Sequence, residues 1–104
     1  MPTRDYKETI RARVQGDPAF KEALLKEAID CMLSGDVDTG KAVLKDFIKA
    51  TTGFERLSKE VCKSPESLIR MLGPQGNPTS SNLFQIIAQI QQYEGWRMEV
   101  NLSK

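Results

Sequence analysis

No histidine occurs anywhere in the chain. That absence removes His-dependent triads, acid–base histidines and most zinc sites together. Cys31 and Cys62 are the only two cysteines, and both fall within apolar helical patterns. Reduced, buried thiols are therefore expected rather than a disulfide; two thiols alone make no usual zinc site, and no metal or cofactor is expected. No apolar run approaches the roughly 20 residues that cross a bilayer, and the N-terminus has no apolar signal-peptide core. A cytoplasmic chain without membrane contact is expected. Neither sign of charge dominates: the formal net charge is +1. Residues 1–53 carry nine Lys/Arg and nine Asp/Glu, and residues 54–104 carry six and five. A monomer so nearly neutral would hold DNA weakly, because phosphate neutralisation supplies most non-specific affinity. Internal repeats, low-complexity segments and dividing linkers are missing too.

What is present is helical periodicity over a length of 104 residues, one domain with room for a core. The helices of residues 1–53 come first. Tyr6, Ile10 and Val14 make a thin stripe over residues 1–15, suited to an exposed or partner-seeking helix. Asp17-Pro18 opens a stronger helix, since Asp caps well and Pro at the first helical position gives up an N–H that would lack a partner. Phe20, Ala23, Leu24, Ala28 and Cys31 form its stripe, widened by Leu25, Ile29 and Met32, before Ser34-Gly35 ends it. Asp36 or Asp38 caps the next helix, where Val43, Leu44, Phe47 and Ile48 recur at helical spacing. Gly53 suits the position after it, where positive φ is cheap.

Residues 54–73, FERLSKEVCKSPESLIRMLG, carry the most specific pattern. They read as a short helix, a tight turn and a second short helix capped by Ser64, with Pro65 just inside it. Leu57, Val61, Leu68 and Met71 stand where the two would meet. That spacing predicts a DNA-binding helix-turn-helix whose second helix enters the major groove. Glu66, Ser67, Ile69 and Arg70 point outward, and Glu66, Ser67 and Arg70 are the candidates for base contacts. Arg70 can donate two hydrogen bonds to a guanine. Lys59 and Lys63 flank the pair where backbone phosphates would run. The loop GPQGNP, 73–78, leads into a helix over 79–94 that holds Leu83, Phe84, Ile87, Ala88 and Ile90. Ser64, Gln75, Asn77 and Thr79 complete the phosphate candidates, although Thr79 serves equally as a cap. From Trp96 to Leu102 apolar and polar residues alternate, a strand pattern. Pairing with the same strand of a second copy would satisfy its backbone and place Trp96, Met98 and Val100 at a dimer interface; a docked or disordered tail is the alternative.

Other motifs dissolve on inspection. GDVDTGKA, residues 35–42, nearly matches a phosphate-binding loop, but Ala42 replaces the Mg²⁺-binding hydroxyl and no buried strand precedes Gly35. Phe47 stands where a calcium loop needs its bidentate Glu. The sequon Asn101-Leu102-Ser103 has no role in a cytosolic protein. With no nucleophile–base pair, metal cluster or cofactor loop, an enzyme is not expected.

In order and spacing, DPAFKEALLKEAIDCMLSGD, TGKAVLKDFIKATTGFERLSKEV and SPESLIRMLGPQGNPTSSNLF resemble the HigA-like antitoxins, addiction-module antidote proteins with a lambda-repressor-like, Cro-type helix-turn-helix. The last segment is the most specific. The resemblance implies an all-α, lambda-repressor-like domain with an N-terminal helical extension, joined here to the possible short C-terminal strand. It implies a homodimer on a palindromic operator in double-stranded DNA, repression of its own operon, and neutralisation of a cognate RelE/HigB-type toxin. It places the recognition helix at Ser64–Leu72. Cys62 departs from the family, occupying the turn position usually held by glycine, where positive φ strains a side chain. The first helix and the helix from Pro18 are the expected toxin-binding surface. A helical module that binds a partner protein without DNA is the competing reading, supported by the weak net charge and by Glu66.

Overall fold

Capping chemistry sets where the helices begin. Asp17 accepts from the N–H groups of Ala19 and Phe20 at 3.1 and 3.2 Å. Asp36, not Asp38, caps the next helix by accepting from Thr39 N–H at 3.3 Å. Ser64 Oγ accepts from Ser67 N–H, and Thr79 Oγ1 from Asn82 N–H, each at 3.1 Å. Each bond occupies an N–H that the helix itself cannot pair.

A computed structural model describes residues 3–104, with side chains described from residue 9 onward. Its helices are α1 (Thr3–Gly16), α2 (Pro18–Leu33), α3 (Val37–Ala50), α4 (Phe54–Val61), α5 (Pro65–Met71) and α6 (Ser80–Glu94). The fold is all-α. No helix among the described residues is long and apolar enough to cross a membrane.

The core is built from one line of each helix after α1: Leu25 and Ala28, Leu44, Phe47 and Ile48, Phe54 and Leu57, Leu68 and Leu72, then Ile86, Ile87 and Ile90. Burying one such aliphatic side chain is worth about 1.5–3 kcal/mol. The α2–α3 pair packs closely because Gly40 leaves room. A Cβ there would stand 2.5 Å from Met32 Cγ and 2.9 Å from the Ala28 carbonyl oxygen. The glycine of the phosphate-loop lookalike is therefore a helix-crossing residue.

Several sequence expectations change. In α2 the buried line runs through Leu25 and Ala28, with Leu24, Ile29 and Met32 packed beside it; Ala23 faces solvent. In α6 Phe84 and Ala88 are exposed and Ile86 takes their place inside. Val14 is buried and Ile10 half-buried, so α1 docks on α2 and α3 and is not left standing free; the side chain of Tyr6 lies outside the described residues. Both cysteines are free, but neither is buried: Cys31 is half-buried and Cys62 exposed. Its partial removal from water, followed by the nearby carboxylates of Asp36, Glu27 and Asp30, pushes the Cys31 thiol up.

The expected strand over 96–102 does not form. Gly95, at φ 71°, ends α6, and Trp96 N–H donates to the Gln91 carbonyl at 3.0 Å. Trp96 then packs on Phe47, with ring centroids 6.3 Å apart. Met98 N–H donates to Gln91 Oε1 at 2.7 Å. Trp96 and Met98 pack on the chain's own core while Val100 and Leu102 stand exposed, and no strand among the described residues is there to continue a ladder.

Candidate nucleic-acid interface

The geometry starts at the turn between α4 and α5. Cys62 closes α4 in the left-handed region, φ 58° and ψ 41°, and is the only non-glycine residue with positive φ among those described. Its N–H donates to the Ser58 carbonyl, and Lys63 N–H reaches the same oxygen at 3.3 Å. The turn thus keeps the conformation a glycine would take. Ser64 in extended geometry and Pro65 at the first position then launch α5. Leu57 of α4 and Leu68 of α5 are fully buried in the core, with Val61 and Met71 packed against that core.

Burial on one side leaves the other side of α5 outward. Glu66 and Arg70 are exposed, Ser67 is half-buried, and Ile69 is exposed between them. Glu66 lies in the first turn of the helix and Arg70 in the last, the placement that a helix dipole favours. Lys59 is exposed on α4 and Lys63 half-buried in the turn. No described carboxylate lies within ion-pair reach of Lys59, Lys63 or Arg70.

The loop 73–78 is anchored against the far end of α5. Gly73 N–H donates to the Arg70 carbonyl at 3.1 Å and Gly76 N–H to the Gly73 carbonyl at 3.0 Å. Gly76 lies so close that a Cβ would stand 2.1 Å from the Arg70 carbonyl oxygen and 2.4 Å from that of Met71. Only glycine fits there. The exposed Gln75 and Asn77 are therefore held directly beside the backbone of Arg70. From Lys63 to this loop the candidate surface spans the length of α5, about 10 Å for seven residues. Ser64 and Thr79 take part chiefly as caps, since their side-chain oxygens already accept backbone N–H groups.

Sequence reasoning missed Lys41. It is the one buried charged residue among those described, 3% exposed, and its Nζ donates to the carbonyls of Gly76 at 2.6 Å and Gly73 at 3.3 Å. Asp38, exposed, lies 3.5 Å from the same nitrogen. Lys41 thereby ties the start of α3 to the loop behind α5. A signal was present: Lys41, Leu44 and Ile48 fall at i, i+3 and i+7, so the lysine shares the buried stripe.

Trp96 and Met98, named as dimer residues, are half-buried against the chain's own core, whereas Val100 is exposed. Set against known protein families, curated proteins and solved structures, the chain matches none.

Proposed function

We propose that this chain is a sequence-specific DNA-binding regulator whose recognition helix is α5. The observation that carries the reading is the outward face of a short, doubly constrained helix: Glu66, Ser67 and Arg70 stand between a left-handed turn at one end and a glycine-locked loop at the other. Preorganisation of this kind suits a helix that must present side chains to base edges in a fixed register. Arg70, exposed and without an ion pair to any described carboxylate, is the candidate for a bidentate guanine contact. Lys59, Lys63, Gln75 and Asn77 are the phosphate candidates; the hydroxyls of Ser64 and Thr79 can still donate outward while accepting a capping bond.

The sequence resemblance extends the reading to a lambda-repressor-like antitoxin that represses its own operon and neutralises a RelE/HigB-type toxin in the cytoplasm. A net charge of +1 makes a dimer, and half-sites one turn or about 34 Å apart, the economical arrangement. A module that binds only protein is the second reading, supported by Glu66 on α5 and by Asp38 beside the loop, both of which phosphate would repel.

The test is fluorescence anisotropy on the DNA upstream of the gene, against scrambled DNA, at several salt concentrations. Preference for the upstream DNA, weakening steeply with salt, is expected. Arg70→Ala should weaken specific binding by about 1–3 kcal/mol while leaving the helical circular dichroism unchanged. Equal binding by mutant and wild type would remove Arg70 from the interface. No preference over scrambled DNA, with or without a neighbouring gene product, would favour the protein-binding module.

A further inference from the structure

The ends of α1, α3 and α6 meet the starts of α2 and α4 around an open cleft of about 340 Å³. That volume falls at the lower end of the range of small-molecule sites. Val14 and Ala50, both buried, line it together with charged and hydroxyl side chains. Two of the charges cancel: Lys21 Nζ pairs with Glu94 Oε1 at 2.6 Å, their side chains 27% and 12% exposed. Arg56 is the third. No described carboxylate lies within ion-pair reach of it, and its guanidinium stacks on the Tyr93 ring, 4.1 Å from the centroid. Stacking holds the guanidinium plane and leaves its N–H edge open. The cleft therefore carries one uncancelled positive charge, in the forked form that matches a carboxylate.

Three hydroxyls also line the cleft, and each donates its proton to a backbone carbonyl. Thr51 donates to Phe47 at 2.8 Å, Thr52 to Gly53 at 3.4 Å and Tyr93 to Arg56 at 3.4 Å. A hydroxyl has one proton and two lone pairs, so what each still offers is an acceptor. The lining thus combines a cationic fork with a set of neutral acceptors.

We propose that this cleft binds a small carboxylate that carries hydroxyl or amino donors of its own. Arg56 takes the carboxylate, and the oxygens of Thr51, Thr52 and Tyr93 accept from the donors. The same features turn other ligands away. A cation meets Arg56, an apolar molecule leaves the three oxygens unpaired, and a fully ionised phosphate brings acceptors to acceptors. Taking a water's share of liquid volume as the measure, the space holds roughly ten non-hydrogen atoms. None of the residues assigned to DNA lines the cleft, so this site stands or falls apart from the DNA-binding reading.

The probe is erythronate, a trihydroxy acid with a four-carbon chain, titrated into the full chain and followed by its backbone amide resonances. An open cleft and so small a ligand give millimolar affinity. The amides of Thr51, Thr52, Arg56 and Tyr93 should shift together and saturate. Butanoate keeps the carboxylate without hydroxyls, and erythritol keeps hydroxyls without the charge; each should bind about tenfold more weakly or worse. Arg56→Gln, at an exposed position, should stay folded by circular dichroism and lose about tenfold or more in affinity for erythronate. Thr52→Val should weaken erythronate and leave butanoate unchanged. Absence of saturable shifts with erythronate at tens of millimolar overturns the proposal. So does butanoate or erythritol binding as well as erythronate, or a folded Arg56→Gln that binds like the wild type.

Discussion

At the scale of single residues, Cys62 bears the clearest local cost. It holds φ 58° with its side chain exposed, so strain at the backbone is repaid by little packing. Side chains in the left-handed region carry a penalty of about 1–2 kcal/mol that glycine avoids, partly offset by glycine's greater freedom when unfolded. Cys62→Gly should therefore raise stability by about 1 kcal/mol, read as a shift in denaturation midpoint at unchanged slope. A lower midpoint would mean that the thiol makes a contact worth more than the strain. The two amphipathic stripes and the Ser64-Pro65 start bound the turn without coordinates, and the family resemblance, which sets a glycine at this position, is what singled out Cys62 within it. What sequence could not say was whether the turn would deform around a cysteine. It does not; the left-handed geometry is kept.

At the scale of elements, the coupling between α3 and the loop after α5 depends on Lys41. Its ammonium serves two carbonyls in a place almost closed to water. Lys41→Met keeps the apolar stem but leaves both oxygens without their donor. Hydrogen bonds to charged groups of this kind contribute about 1.5–3 kcal/mol, and a loss in that range is expected in chemical denaturation. Lys41→Arg should not restore it, because the planar guanidinium differs in shape from a compact ammonium. Unchanged stability in Lys41→Met would show that water replaces the amine. Helix starts were readable from Asp17, Ser64 and Thr79, each a local signal with a local cause, and were narrowed to Asp36 or Asp38 for α3, where the structure chooses Asp36. The inner face of α6 was not. Leu83, Phe84, Ile86, Ile87, Ala88 and Ile90 spread apolar character around much of the helix, and only the packing of its neighbours decides that Ile86 goes in and Phe84 out.

For the whole molecule, the C-terminal tail decides between a strand shared with another copy and a strap on its own helices. Alternation alone fits both, because a segment touching a surface with every second residue leaves the same sequence trace as a strand. The strap is what forms here. Trp96 covers Phe47 of α3, Lys21 of α2 approaches the indole ring at 5.9 Å, and the same ammonium pairs with Glu94 of α6 at 2.6 Å. Three helices meet through one half-buried tryptophan. Trp96→Ala should cost about 2–3 kcal/mol, less than the 3–5 kcal/mol of a fully buried aromatic, because part of the ring already faces water. Denaturation measures that loss. Sedimentation of the same variant, under conditions where it stays folded, should show association unchanged from wild type, because the indole packs on helices of its own copy. Selective loss of dimer in folded Trp96→Ala would return the interface to the tail, since the indole would then matter between copies and not only within one.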